Sequence, residues 1–94
     1  MNFNNKNVLV TGASRGIGKA TAMAFTKKGA KVGINYRSND EVAHQTLSEL
    51  PGEGHQLFKR DISQKSETEA LITDFVKAYG QLDVLVNNAG ISIF

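Results

Sequence analysis

The sequence predicts an α/β fold, a doubly wound parallel sheet, and three observations point to it. Short apolar runs alternate with longer amphipathic ones along the whole chain. The runs are followed by glycine or polar turn residues at their C-terminal ends. Two of them, Val8-Leu9-Val10 and Val84-Leu85-Val86, are apolar at every position, as strands buried on both faces are. Such alternation implies parallel strands joined by right-handed helical crossovers.

The elements follow in order. Asn7–Thr11 is the first strand, ending in a glycine-rich turn. Ile17–Lys28 is a helix, closed by Gly29 in the left-handed conformation that glycine tolerates past a helix end. Ala20 and Ala24 are expected to form its inner face and let it lie close to the sheet. Lys31–Tyr36 is the second strand. Ser38 stands three residues before Glu41, the spacing of a capping box, and opens a helix running to about Leu50. Pro51-Gly52 stops it. Gln56–Lys59 is the third strand.

Ser63 or Ser66 caps the next helix, which carries Leu71, Ile72, Phe75, Val76 and Ala78 as its apolar stripe and ends at Gly80. Asp83–Asn87 is the fourth strand. In a Rossmann-like, doubly wound arrangement the strand order is 3-2-1-4, with the switch point between the first and fourth strands. The apolar tail Ile91-Ser92-Ile93-Phe94 follows a strand expected in mid-sheet, so the chain reads as cut short after the fourth strand.

The 94 residues make one small domain, the N-terminal part of a single nucleotide-binding unit. At this size a chain buries roughly 60–65% of its unfolded surface, so the core is small. The net charge is +2, but the basic residues are scattered and show no nucleic-acid-binding stripe. No segment approaches the ~20 apolar residues of a membrane span, and no signal-peptide core is present. The expected location is the cytoplasm. Absence of cysteine removes disulfide and thiolate-metal chemistry, and His44 and His55 have no ligand cluster around them, so no metal site is expected.

Four segments carry chemistry. In Thr11-Gly12-Ala13-Ser14-Arg15-Gly16-Ile17-Gly18, Gly12 permits the turn off the strand and Gly16 lets backbone approach a pyrophosphate. Gly18 lets the helix pack against the sheet, while Ser14 adds a hydroxyl donor. A kinase-type phosphate loop is excluded, because Ala13 and Ala20 stand where it needs glycine and a hydroxyl.

At the end of the second strand, an NAD-binding chain places an acid to hold the ribose 2′-hydroxyl. Tyr36 stands there instead, followed by Arg37. Arginine pairs with the 2′-phosphate of NADP, and Arg15 can reach the same group from the glycine loop. In Arg60-Asp61-Ile62-Ser63, Asp61 either accepts a hydrogen bond from an adenine amino group or caps a helix. In Asn87-Asn88-Ala89-Gly90, the asparagines can tie strand ends together and Ala89-Gly90 leaves room for a ribose.

Taken together, these motifs resemble the short-chain dehydrogenase/reductase family across essentially the whole chain. Within it the glycine stretch is similar to 3-oxoacyl-acyl-carrier-protein reductases. The resemblance implies an NADP(H)-dependent reductase whose cofactor touches Gly12, Ser14, Arg15, Gly16, Ile17, Gly18, Arg37, Asp61, Ile62, Asn88, Ala89 and Gly90. It implies a small carbonyl or alcohol substrate and a homo-oligomeric parent protein. The family's chemistry needs a tyrosine followed four residues later by lysine. Here Tyr36 is followed by Asp40 and Tyr79 by Asp83, so no catalytic residue is assigned and no turnover is expected. The alternative from another class is a nucleotide-binding module without catalysis.

Overall fold

The computed structural model describes residues 2–88. Four strands, β1 (Asn7–Val10), β2 (Lys31–Tyr36), β3 (Gln56–Lys59) and β4 (Val84–Val86), alternate with three helices, α1 (Gly16–Lys27), α2 (Asp40–Glu49) and α3 (Lys65–Tyr79). The strands form one sheet in the order β3-β2-β1-β4, every pair parallel. This is the doubly wound order the sequence predicts. Thr11 and Asn87, expected to close the first and fourth strands, lie just outside β1 and β4.

Side chains on a strand alternate between faces, so β1 divides the core. Val8 and Val10, with Val32 and Ile34 of β2, pack on Ala22 and on Leu50 beside α2. Leu9 points the other way, into Phe58, Leu71 and Phe75, which hold α3. Gly33 leaves room there: a Cβ on it would come within 2.7 Å of the Phe75 ring and 2.8 Å of the Phe58 ring.

Four local expectations are corrected. The inner face of α1 is Gly18, Ala22 and Thr26, whereas Ala20 and Ala24 face solvent. The cap of α2 is Asn39, one residue later than Ser38; its Oδ1 accepts from the Val42 N–H at 3.1 Å. Neither Ser63 nor Ser66 caps α3. The Ser63 N–H is taken by Asp61 Oδ1 at 3.1 Å, Gln64 is the cap residue, and Ser66 sits inside the first turn. In α3, Leu71 and Phe75 are buried, Ile72 is half-buried, and Val76 and Ala78 are exposed. Tyr79 continues the stripe instead, its ring centroid 4.7 Å from that of Phe75.

Gly29 takes φ 95°, and the Ala30 N–H returns to Phe25 O at 3.1 Å to close α1 as expected. His55 has a packing role. Its Nδ1 lies 3.1 Å from the Val32 N–H and its Nε2 lies 2.8 Å from Pro51 O. His44, exposed on α2, contacts the Asp40 carbonyl through Nδ1 at 2.9 Å.

Candidate functional site

The C-terminal ends of β1, β2 and β3 and the loops leaving them form the site, at the carboxyl edge of the sheet and on the β2 side of the β1–β4 switch point. The glycine turn comes first. Gly12 has φ 59° and Gly16 φ 63°, both in the left-handed region, and the space beside Gly16 is open. A Cβ on Gly18 would drive into the Gly12 carbonyl oxygen, so α1 can approach the turn only through glycine.

The amino end of α1 is left without a partner of its own kind. Arg15 at the cap position makes no side-chain cap, and the first turn holds no acid. By contrast α2 carries Asn39 as a cap with Asp40 and Glu41 behind it. An uncapped helix start with a glycine turn in front of it suits an anion.

Three further groups hold the turn in place. The Ala13 N–H donates to Asn35 O at 3.0 Å, the Gly12 N–H to Asn35 Oδ1 at 3.4 Å, and Thr46 of α2 donates its hydroxyl to Ser14 O. On the other side Thr11 Oγ1 donates to Asn87 Oδ1 at 3.0 Å and accepts from the Asn88 N–H at 2.9 Å. The asparagines therefore tie the ends of β1 and β4 together. Ala89 and Gly90 lie outside the described residues.

Two adjoining recesses open beside the turn. One, of about 230 Å3, is lined by Gly12, Asn35, Arg37, Arg60, Asp61, Ile62 and Ser63. The other, of about 200 Å3, is lined by Ser14, Arg15, Arg37, Ser38, Asn39 and Val42. Arg37 stands between them, its side chain 78% exposed, and its Nε lies 3.5 Å from Asp61 Oδ2. The Asp61 carboxyl is held below the usual carboxylate range, first by the Ser63 backbone N–H and then by the Ser63 hydroxyl, with Arg37 adding to it. Asp61 thus closes a local turn and faces the recess; it does not cap α3.

Tyr36 lines neither recess. It is buried, and its hydroxyl donates to Asp40 Oδ1 at 2.7 Å. That bond, followed by burial, raises the Tyr36 pKa, and the same bond, followed by the Lys59 ammonium, lowers that of Asp40. Arg60 braces the loop from outside, donating to Glu67 Oε2 at 2.8 Å and to Asp74 Oδ2 at 2.9 and 3.1 Å.

Of the predicted residues, Gly12, Arg37, Asp61 and Ile62 meet at the first recess, and Ser14 and Arg15 meet Arg37 at the second. Gly16, Ile17 and Gly18 form the first turn of α1, with Ile17 78% exposed. Asn88 is joined to Thr11 and lines neither recess. Asn35, Thr46 and Arg60 support the candidate site and were not among the residues the sequence singled out. For Asn35 a signal existed, an amide in the otherwise apolar strand Val32-Gly33-Ile34-Asn35-Tyr36.

The sequence matches the family profile of short chain dehydrogenase over residues 6–94. This chain belongs to the short-chain dehydrogenase/reductase family. It is 44% identical over 93 residues to a glucose 1-dehydrogenase of Gluconobacter oxydans and covers 97% of this chain but 35% of that protein. It is 40% identical over 94 residues to the short-chain dehydrogenase/reductase homolog YusS of Bacillus subtilis, covering 98% of this chain and 86% of the relative. The 3-oxoacyl-[acyl-carrier-protein] reductase FabG of Staphylococcus aureus is 40% identical over 89 residues, 93% of this chain and 36% of that one. The chain thus spans about a third of the Gluconobacter and Staphylococcus relatives and most of the Bacillus one.

Among solved structures, a short-chain dehydrogenase of Burkholderia cenocepacia in complex with NADP superposes with TM-score 0.89 at 34% identity, over 97% of this chain and 38% of that one. A short-chain dehydrogenase/reductase of Serratia marcescens gives TM-score 0.90 at 30% identity, over 97% and 38%. The family is one of oxidoreductases, and the fold is theirs. Among the described residues, no helix is long and apolar enough to cross a membrane.

Proposed function

We propose that this chain forms the adenosine- and pyrophosphate-binding part of an NADP(H)-dependent oxidoreductase that reduces carbonyl groups. The observation that carries the reading is Arg37, a guanidinium shared by two recesses just past Tyr36, which itself stands where an NAD site would hold a carboxylate. When bound, the nicotinamide of such a cofactor supplies or takes up the hydride, and the protein supplies position and electrostatics.

The chain's own residues divide the binding work. The open backbone at Gly16, with Gly12, Ser14, Ile17 and Gly18 around it, suits the pyrophosphate at the start of α1. Arg37 and Arg15 suit the 2′-phosphate, which a forked guanidinium pairs with and a carboxylate repels. Asp61 and Ile62 suit the adenine, and Asn88, with Ala89 and Gly90, the ribose. The NADP complex of the Burkholderia relative supports this choice of cofactor.

A small carbonyl or alcohol substrate, a homo-oligomeric assembly and a cytoplasmic location are expected of the parent protein, with no nucleic-acid or membrane partner. These residues on their own are expected to turn nothing over, since Tyr36 and Tyr79 both lack a lysine four positions on. A second reading, a nucleotide-binding module without catalysis, is favoured by the Bacillus relative, 86% of whose length this chain spans.

The test is a titration of the chain with NADPH and NADH, repeated on Arg37→Asp. Each hydrogen bond to a charged group contributes about 1.5–3 kcal/mol, so the variant should lose roughly tenfold or more in NADPH affinity and shift toward NADH. An unchanged preference would refute the phosphate assignment.

A further inference from the structure

We propose that Asn35 is the positioning residue of the nucleotide site, a single carboxamide on β2 that fixes the glycine turn relative to the end of β3 and the Asp61 loop; the inference rests on the cofactor reading above. Asn35 is 2% exposed at the end of β2, on the face it shares with Phe58 and Phe75. Its Oδ1 accepts from the Gly12 N–H of the glycine turn at 3.4 Å. Its Nδ2 donates to Phe58 O at 3.1 Å and to Arg60 O at 3.2 Å, at the end of β3. Its backbone carbonyl takes the Ala13 N–H at 3.0 Å. Turn, β2 and β3 are thereby joined through one residue, on the wall of the recess that also holds Arg37 and Asp61.

The chemistry selects the amide. Both amide hydrogens face carbonyl oxygens and the amide oxygen faces an N–H, so every polar atom of the side chain is used. Aspartate has the same shape but no donor when ionised, and would set a negative charge against two carbonyls. Leucine would leave the buried Phe58 carbonyl and the part-buried Gly12 N–H and Arg60 carbonyl without this partner. Ordinary sheet pairing does not need the side chain, since the β2–β3 ladder runs from Gly33 to Tyr36 through backbone groups. What the side chain adds is the relative placement of the glycine turn and the Asp61 loop. A preformed site avoids the ordering that binding would otherwise have to drive.

The experiment compares the full chain with Asn35→Leu and Asn35→Asp, measuring NADP+ affinity by calorimetry and amide hydrogen exchange residue by residue. The expected result is a loss of about tenfold or more in affinity, with faster exchange confined to Gly12, Ala13 and Arg60. The Val8–Val10 amides in mid-sheet should keep their protection. A residue that served stability alone would instead speed exchange across the sheet, and that outcome, or unchanged exchange at Gly12, overturns the proposal.

Local release at Gly12 in a protein whose wild type binds no NADP+ would refute the cofactor reading while supporting the brace. If both variants fail to fold, the wild-type carboxamide decides. Its two Nδ2 protons should exchange slowly and give separate resonances that shift on adding NADP+. Fast exchange of those protons overturns the proposal.

Discussion

At the scale of single residues, the glycine turn carries a backbone requirement on which the proposed binding role depends. Gly12 holds φ 59°, a conformation that costs a β-branched residue roughly 1–3 kcal/mol. Gly12→Val should therefore abolish binding of NADPH and NADH alike, measured by fluorescence titration. A folded variant that retains affinity would refute the role given to this turn. The glycines, Arg37 and Asp61 could be singled out as candidates from the sequence because their residue types and spacing are themselves the signal. Asn35 stood out only as an amide in an apolar strand, and Thr46 not at all, because an amide or hydroxyl shows its role only through partners remote in sequence. Thr46 lies 32 positions from the Ser14 carbonyl it serves. The choice between adenine contact and helix cap at Asp61 likewise needed the Ser63 N–H and the start of α3 to be located.

The element scale is where the phase of a pattern decides. In α1 alanines occur at positions 20, 22 and 24, so composition alone cannot say which face turns inward. The structure chooses the row Gly18, Ala22, Thr26 because Gly18 must meet the Gly12 carbonyl, and positions four apart share a face. Ala22→Leu should then overpack the contact with the sheet and cost about 1–3 kcal/mol. Ala20→Leu, on the exposed face, should stay within about 0.5 kcal/mol. Urea denaturation of the two variants checks the phase, and equal effects would refute it. Helix starts were misplaced by a residue or two for a related reason. Several hydroxyl and amide residues stand side by side before α2 and α3, and any of Ser38, Asn39, Ser63 or Ser66 can act as a cap in isolation. Strand order and direction were legible because they follow from the alternation of elements and not from any one boundary.

For the whole molecule, charge and burial set the pH range of stability. The Asp40 carboxyl is lowered from 3.8, first by the Tyr36 hydroxyl and then by Lys59, and Asp61 is lowered from 3.8, first by the Ser63 N–H. Both bind protons less readily in the fold than in the open chain. The stability they lend is present above 3.8 and is lost as pH falls through the lower folded values. Tyr79 works at the opposite end. Burial pushes its pKa from 10.0 up to about 12, against a lesser opposing effect of the Gln56 backbone. Its hydroxyl also donates to Gly54 O at 2.7 Å. Its contribution is complete below pH 10.0 and declines as pH rises toward about 12. The urea midpoint should therefore fall at both extremes. Tyr79→Phe should reduce the alkaline fall, and an unchanged alkaline limb would reject this assignment.

The position of β1 between β2 and β4 has a consequence in time. The opening strand of the chain lies inside the sheet, and its Thr11 meets Asn87, a residue 76 positions further on. As the polypeptide leaves the ribosome, β1 can pair with β2 early, across the single α1 crossover. Its other edge must wait until nearly all of the described chain has emerged. Closing that longer loop costs more chain entropy, and contacts between remote residues slow folding. During synthesis the Val8-Leu9-Val10 edge is therefore open longest, and the glycine turn completes its link to β4 only when Asn87 and Asn88 arrive.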